Sequence, residues 1–410
     1  MTRNFSPDDP ELANLLSQEE RRQEETITLI PSENYCSADV EKAVGSCLAN
    51  KYAEGYPGRR YYQGNKIIDE IELLATTRLK RLFNINYVNV QPYSGSPANA
   101  AVYFALLNPG EKIMGLSLSS GGHLTHGHPN ITFSGKYFSS VQYHVEANGW
   151  INYEKLEDLV QVEKPKILVA GTTSYPRILD FEKFRKIADG VGAFLLADIS
   201  HIAGLVVAGV HPTPVGLADV IMTTTHKTLR GPRGAVLMTG NEEIAQKIDR
   251  AVFPGLQGGP HENTIAAMAV MAKENATPEF KKYGEQIVKN AKALAKTLTS
   301  NGIDLVTGGT DNHLMVIDLR NLNLTGKDVA EKLEEAGIVT NKNAIPGDPQ
   351  PPAITSGIRL GTPAITTRGM KEKEMELIGQ WISGIINGKL DEKKVAVEVK
   401  KLCLKFPIEL

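Results

Sequence analysis

Cysteine is scarce in this chain: Cys36, Cys47 and Cys403 are the only three in 410 residues. They form no C-x-x-C pair and no metal-ligand spacing, which argues against a disulfide framework and for a reducing compartment. Charge of one sign is lacking too. Lys and Arg number 45 and Asp and Glu 47, a formal net charge of −2, so no strong field draws the chain to nucleic acid or to an acidic membrane. Long apolar runs are missing: none approaches the roughly 20 residues that span a bilayer. The N-terminal MTRNFSPDDP has no apolar core of a secretory signal. The phosphate-loop pattern G-x-x-x-x-G-K-[ST] is absent as well. Together these absences point to a soluble cytoplasmic enzyme with no membrane partner and leave a nucleic-acid partner without support.

What is present is an ordinary globular composition, 41% hydrophobic and 22% charged. At roughly 150 residues per domain, the length suggests two or three domains. Asp9 as cap, Pro10 at the first helical position and the stripe Leu12, Leu15, Leu16 predict an N-terminal helix that packs as an arm over residues 1–25. KYAEGYPGRRYYQGN at 51–65 has no period and reads as an ordered, functional loop. From about 68 to 275, apolar runs alternate with amphipathic stretches. Strands are expected at 87–91, 166–171, 193–198, 218–225 and 235–239, with helices at 154–161 and 181–190. Alternation of this kind implies an α/β fold with a largely parallel sheet, whose ligands sit at the carboxyl ends of strands. A long helix over about 279–300 stops at Asn301-Gly302. A shorter module follows, with a strand at 313–319, helices at 325–336 and 369–386, and Val395, Val399 and Leu402 at helical spacing. The boundary is placed at Thr277-Pro278, giving a large domain 26–277 and a small α+β domain 278–410.

Five stretches could carry chemistry. In THKTLRGPRG at 225–234, Lys227 follows a strand and could form a Schiff base with a carbonyl cofactor. His226 and Arg233 crowd it with polar groups that a core does not explain. In AFLLADISHIAGL at 193–205, Asp198 ends an apolar strand. It is placed either to hold the ring nitrogen of pyridoxal phosphate or to cap the next turn. The 29 residues from Asp198 to Lys227 allow a crossover between neighbouring strands. In VQPYSGSPANAAVYFALL at 90–107, Ser96 reads as the N-cap of a helix with Pro97 at its first position. The free N–H groups there favour an anion such as phosphate. LSSGGHLTHGHP at 118–129 holds His123, His126 and His128; no Cys or acid stands near them in sequence, so an imidazole stacked on a cofactor ring is the better use and no metal is expected. In SGIRLGTPAIT at 356–366, Arg359 could grip a carboxylate with a bidentate fork, unless it is a plain surface arginine.

Taken in order, PSENYCS, NKYAEGYPGRRYY, QPYSGSPAN, GGHLTHG, the Asp198–His201 strand end, TTTHKTLRGPRG, VFPGLQGGPH, GGTDNHL, NKNAIPGDP and SGIRLGTPAITTRG resemble the serine hydroxymethyltransferases. These are fold-type-I pyridoxal-phosphate enzymes. The resemblance implies a mainly parallel, seven-stranded large domain and reversible transfer of the serine hydroxymethyl carbon to a tetrahydropterin, tetrahydrofolate first among them. It makes Lys227 the Schiff-base lysine, Asp198 the partner of the pyridine nitrogen and His123 the stacked ring. Thr173, His201 and His226 fall near the cofactor ring, and Ser94, Gly95 and Ser96 at its phosphate. Tyr52, Gly258 and Gly259 match positions that reach the phosphate from a neighbouring subunit, which implies a homodimer or a tetramer built from dimers. Arg359 corresponds to the substrate-carboxylate clamp, assisted by Ser32. Glu54 and Tyr62, from the partner, correspond to the groups that handle the substrate hydroxyl and its protons. Leu118, Gly122, Leu124 and Asn343 match folate contacts. Tyr93 and Pro97 stand where many bacterial members have His and Gln, and Thr173 where serine is frequent. A threonine-type aldolase of the same fold, or a scaffold that has lost catalysis, are the competing readings.

Overall fold

The computed structural model describes residues 9–408. Its centre is a seven-stranded sheet. From one edge the strands run Tyr87–Asn89, Ala235–Thr239, Val220–Thr224, Phe194–Asp198, Ile167–Gly171, Lys112–Leu116 and Ser139–Tyr143. Only Ala235–Thr239 opposes its neighbours; the other pairs are parallel. The middle strands Ile167–Gly171 and Val220–Thr224 are buried at every position, as a parallel sheet covered on both faces requires. The expected mainly parallel α/β fold is present, and the strands read from sequence are all in it.

Two strands of the sheet had no clear sequence signal. Lys112–Leu116 begins on a lysine and is interrupted by Gly115, where a Cβ would lie 2.8 Å from the Cβ of His126. Ser139–Tyr143 is an edge strand, exposed or half-buried along most of its length, so its pattern is diluted.

The large core gathers Leu168, Ala170, Leu195, Ala197, Ile221 and Val236 from the sheet with Leu79, Phe184 and Met268 from flanking helices. A second core lies around an antiparallel sheet ordered Asp304–Leu305, Leu314–Asp318, Gly357–Gly361, Asn341–Asn343. Its helical cover is Gly326–Glu335, Glu372–Ile386 and Glu392–Lys405. Helix Pro278–Ser300 starts where expected. Thr277 caps it by accepting from the N–H of Phe280, with Pro278 at the first turn. It joins the two cores: Ile287 packs in the larger, and Ala291, Leu294 and Leu298 in the smaller. The N-terminal helix Pro10–Glu25 is capped by Asp9 as its sequence implies, and Leu15 and Leu16 remain exposed. Directly after it, Ile27–Thr28 pairs in parallel with Ile338–Val339, and Ile27 and Leu29 enter the smaller core. The chain therefore touches the smaller core before it enters the large one.

Candidate active site

The carboxyl ends of the parallel strands converge on a cavity of ≈ 190 Å³. Ser94, Gly95, Ser96, His123, His126, Thr172, Thr173, Asp198, Ser200, His201, Met222, Thr224, His226, Lys227 and Arg233 line it. Most come from the end of a strand or the loop just beyond, with Gly95 and Ser96 from the first turn of the helix that follows and Met222 from within its strand, because parallel strands all deliver their next residues to the same edge.

Lys227 and Asp198 meet here by topology. Their strands are adjacent and parallel, with Asp198 opposite Met222. The Lys227 Nζ donates to Thr224 Oγ1 at 2.8 Å. Burial lowers its pKa to about 8, against the opposing pull of the Asp198 carboxylate and with help from the charges of Arg359 and Arg233. The amine is thus a competent nucleophile near neutral pH. Asn34 fixes the backbone of this lysine, donating to its carbonyl at 2.9 Å.

Asp198 is 6% exposed. Burial alone would raise its pKa, but hydrogen bonding from His126 above all, together with that from Ser200, overcomes this and holds it well below the usual carboxylate range. A buried carboxylate kept ionised can balance a protonated ring nitrogen. The capping alternative is also realised in part, since Oδ1 accepts from Ser200 N at 3.1 Å.

The helix start at SGSP differs from the sequence expectation. The helix spans Gly95–Leu106 with Ser94, not Ser96, as its N-cap. Ser94 is extended (φ −166°, ψ 178°), so helical geometry begins one residue later and Pro97 lies at the third helical position. Proline is tolerated there because the first-turn N–H groups have no helical partner. Ser94 makes no side-chain cap. Ser94, Gly95 and Ser96 line the cavity, so an uncapped first helical turn borders it, a setting that suits phosphate. Gly95 is required for closeness: a Cβ there would lie 2.8 Å from Thr224 Cγ2.

His123 is half-buried and lines the cavity, and burial with the neighbouring His126 lowers its pKa to about 4, so its ring is neutral. His201 is buried, is held neutral chiefly by burial, and meets His313 at 3.3 Å. Thr173 donates from Oγ1 to the Gly122 carbonyl at 2.9 Å. Arg359, on the strand Gly357–Gly361 of the smaller sheet, donates to the Thr173 carbonyl at 2.7 Å and from Nε to Asn341 Oδ1 at 3.2 Å. Among the described residues no ion pair claims its charge. His226 and Arg233 also line a second cavity of ≈ 480 Å³, and Ser32 lies there rather than in the first. Of the folate positions, Leu118 and Leu124 are exposed apolar side chains at 41% and 46%. Gly122 lies beside Thr173, and Asn343 reaches Ser174 Oγ at 3.5 Å.

Five expected site residues form a separate group. The rings of Tyr52 and Tyr62 meet edge-on at 5.1 Å. A Cβ at Gly258 would lie 3.1 Å from Glu54 Oε1, and one at Gly259 3.3 Å from the Tyr52 ring. Tyr93 donates to the Gly259 carbonyl at 2.7 Å and stacks on His261 at 4.2 Å. None of the five lines the Lys227 cavity of its own chain.

Sequence reasoning missed Asn99, Thr125, His313 and Asn34. Asn99 had a signal, a lone amide inside the apolar helix GSPANAAVYFAL, where it is fully buried. The other three look unremarkable until the fold brings them in.

The groups present fit pyridoxal phosphate: an amine and a carboxylate, one of whose oxygens has a single donor, a neutral imidazole lining the same cavity, and an uncapped helix N-terminus for the phosphate. The sequence profile described as "Serine hydroxymethyltransferase" matches residues 5–382. The serine hydroxymethyltransferase of Desulfotalea psychrophila is 55% identical over 402 residues, 97% of this chain and 94% of that protein. That of Acinetobacter baumannii is 52% identical over 410 residues, 99% of this chain and 98% of that protein. With an amine and a carboxylate facing one pocket from adjacent strands and similarity running nearly end to end, the chain belongs to the serine hydroxymethyltransferase family.

Proposed function

We infer that this protein is a pyridoxal-phosphate-dependent glycine hydroxymethyltransferase that exchanges the hydroxymethyl carbon of serine with tetrahydrofolate. The observation that carries the reading is the convergence of Lys227 and Asp198 on one cavity, with Arg359 hydrogen-bonded to the carbonyl of Thr173, which lines it. Bound pyridoxal phosphate supplies a ring that accepts the electrons left on the substrate α-carbon. Lys227 holds the cofactor aldehyde, and Asp198 keeps the ring nitrogen protonated. His123, Thr173, His201 and His226, which line the same cavity, would hold the cofactor ring. Ser94, Gly95 and Ser96 hold the phosphate.

Arg359 binds the substrate carboxylate, assisted by Ser32 from the cavity that His226 and Arg233 also line. Its guanidinium is anchored by neutral acceptors, which leaves its charge for a ligand. Glu54 moves the proton of the substrate hydroxyl, with Tyr62 orienting it. Leu118 and Leu124 offer apolar surface to the pterin, with Gly122 and Asn343 beside them.

The partner subunit completes the site. Tyr52, Glu54, Tyr62, Gly258 and Gly259 cluster away from their own cavity, and Ile67, Leu74, Phe104 and Leu256 are exposed apolar side chains at 61%, 44%, 58% and 45%. Surface of that kind supports a second copy. No helix among the described residues is long and apolar enough to cross a membrane, and sparse cysteine supports a cytoplasmic location. The working division is an arm 1–25, a cofactor domain 26–277 that lends Ile27–Leu29 to the smaller core, and a domain 278–410.

Serine cleavage tests the reading. It should depend on tetrahydrofolate and yield glycine. Rapid threonine-type cleavage with no effect of tetrahydrofolate on serine would make the protein an aldolase instead.

A further inference from the structure

His126 has no part in the chemistry above, yet it is 1% exposed beside the cofactor cavity. The backbone N–H of His123 points at His126 Nδ1 at 3.2 Å. Nδ1 is therefore an acceptor, the ring proton lies on Nε2, and Nε2 donates to Asp198 Oδ2 at 2.9 Å. Asn99 spends its amide on the same group. Nδ2 donates to Asp198 Oδ2 at 3.0 Å and to Thr125 Oγ1 at 2.8 Å. Thr125 Oγ1 in turn meets His123 Nδ1 at 2.7 Å, and the Thr125 N–H also points at that nitrogen at 3.2 Å. Asp198 Oδ2 thus has two side-chain donors, while Oδ1 has only the Ser200 N–H.

The backbone is shaped around this pair. A Cβ on Gly171 would lie 2.7 Å from Asp198 Cβ and 3.0 Å from His126 Cε1. Gln142 holds the His126 carbonyl at 2.9 Å from the next strand but one. Such closeness is conspicuous for a residue with no direct role.

We propose that His126 and Asn99 are positioning residues for the cofactor, saturating Oδ2 of Asp198 so that Oδ1 is left for the ring nitrogen, and linking that carboxylate through Thr125 to the stacked ring of His123. The inference rests on the reading of Asp198 as the partner of the ring nitrogen. His126 and Asn99 act only through their neighbours, so their loss should alter how the cofactor is held more than how serine is bound.

The test uses holoenzyme variants His126→Leu, His126→Gln, Asn99→Ala and Asp198→Asn. It reads the dissociation constant of pyridoxal phosphate, the visible absorption band with and without glycine, and kcat and KM for serine. His126→Leu should weaken cofactor binding and lower kcat by about tenfold or more, since it removes a hydrogen bond to a buried charge. The serine KM should move far less, and the absorption band should change. His126→Gln, whose amide can still donate, should recover part of each effect, which a merely structural role would not require. Asn99→Ala should shift the same readouts in the same direction and decides the matter should His126→Leu fail to fold. Wild-type cofactor affinity and absorption in a folded His126→Leu or Asn99→Ala protein would overturn the inference. Asp198→Asn separates the two claims: if it too leaves the band and affinity unchanged, the ring-nitrogen reading fails; if it changes them alone, only the positioning role fails.

Discussion

Arg359 donates from Nη1 to the carbonyl oxygen of Thr173 at 2.7 Å, joining the smaller sheet to the loop that ends Ile167–Gly171. The guanidinium is thereby pinned at the pocket edge before any carboxylate arrives, so little side-chain ordering remains to be done on binding. Replacing Arg359 with Lys keeps a charge but loses the planar fork. The serine KM should rise about tenfold or more, with a much smaller change in the KM for tetrahydrofolate. Equal losses for both substrates would argue against a carboxylate clamp.

Lys227 should titrate early. Burial lowers its pKa to about 8 from an ordinary 10.5, and the free amine is the reactive form. In cofactor-free enzyme, the rate of adduct formation with an aldehyde should therefore rise with pH and level off above about 8. A midpoint at the ordinary lysine value would show the amine to be solvated. The same depressed value means that the charged form is disfavoured in the folded chain. The folded-state penalty is greatest below pH 8 and fades as pH rises toward 10.5.

The proposed sharing of the site between subunits predicts complementation. Lys227→Ala and Glu54→Gln proteins should each be nearly inactive. Dissociated and reassembled together, they form mixed dimers in which one site carries both lesions and the other carries none. About a quarter of all sites should then work. No recovery after verified subunit exchange would place Glu54 and Lys227 in the site of one chain.

Three carboxyls compete for one guanidinium near the Tyr52 cluster. Arg60 pairs with Asp69 at 2.8 Å and Glu72 at 2.6 Å, leaving Glu262 Oε1 at 3.9 Å and without a hydrogen bond. Burial, then the Glu72 charge, raise Glu262 to about 8 from 4.5. A raised folded value stabilises the neutral form. Its contribution is complete below pH 4.5 and is lost as pH climbs through about 8. Glu262→Gln, neutral at every pH, should flatten the fall in Tm across that window. Parallel Tm curves for the two proteins would contradict a protonated Glu262.

Much of this fold was legible because strong local signals agreed with tertiary structure. AVLMT at 235–239 is the strand Ala235–Thr239 residue for residue, and Thr277-Pro278 opens the long helix. Signals failed where burial was partial or a cap was ambiguous. The edge strand Ser139–Tyr143 lacks a buried run, and SGSP offers two serines as cap, between which only the extended backbone of Ser94 decides. Of the site, Lys227 and Asp198 could be singled out by their places at strand ends. His126 could not be assigned, because its acid lies 72 residues away and only sheet order brings them together. Tyr93 was a departure from the family pattern; the fold gives it the Gly259 carbonyl and the His261 ring.

The most direct trial of the account is borohydride reduction of enzyme purified with pyridoxal phosphate, followed by mass mapping of the modified peptide. The account predicts one pyridoxyl group, on Lys227, and none in Lys227→Ala. A colourless protein with no adduct, or an adduct on another lysine that persists in Lys227→Ala, would contradict it.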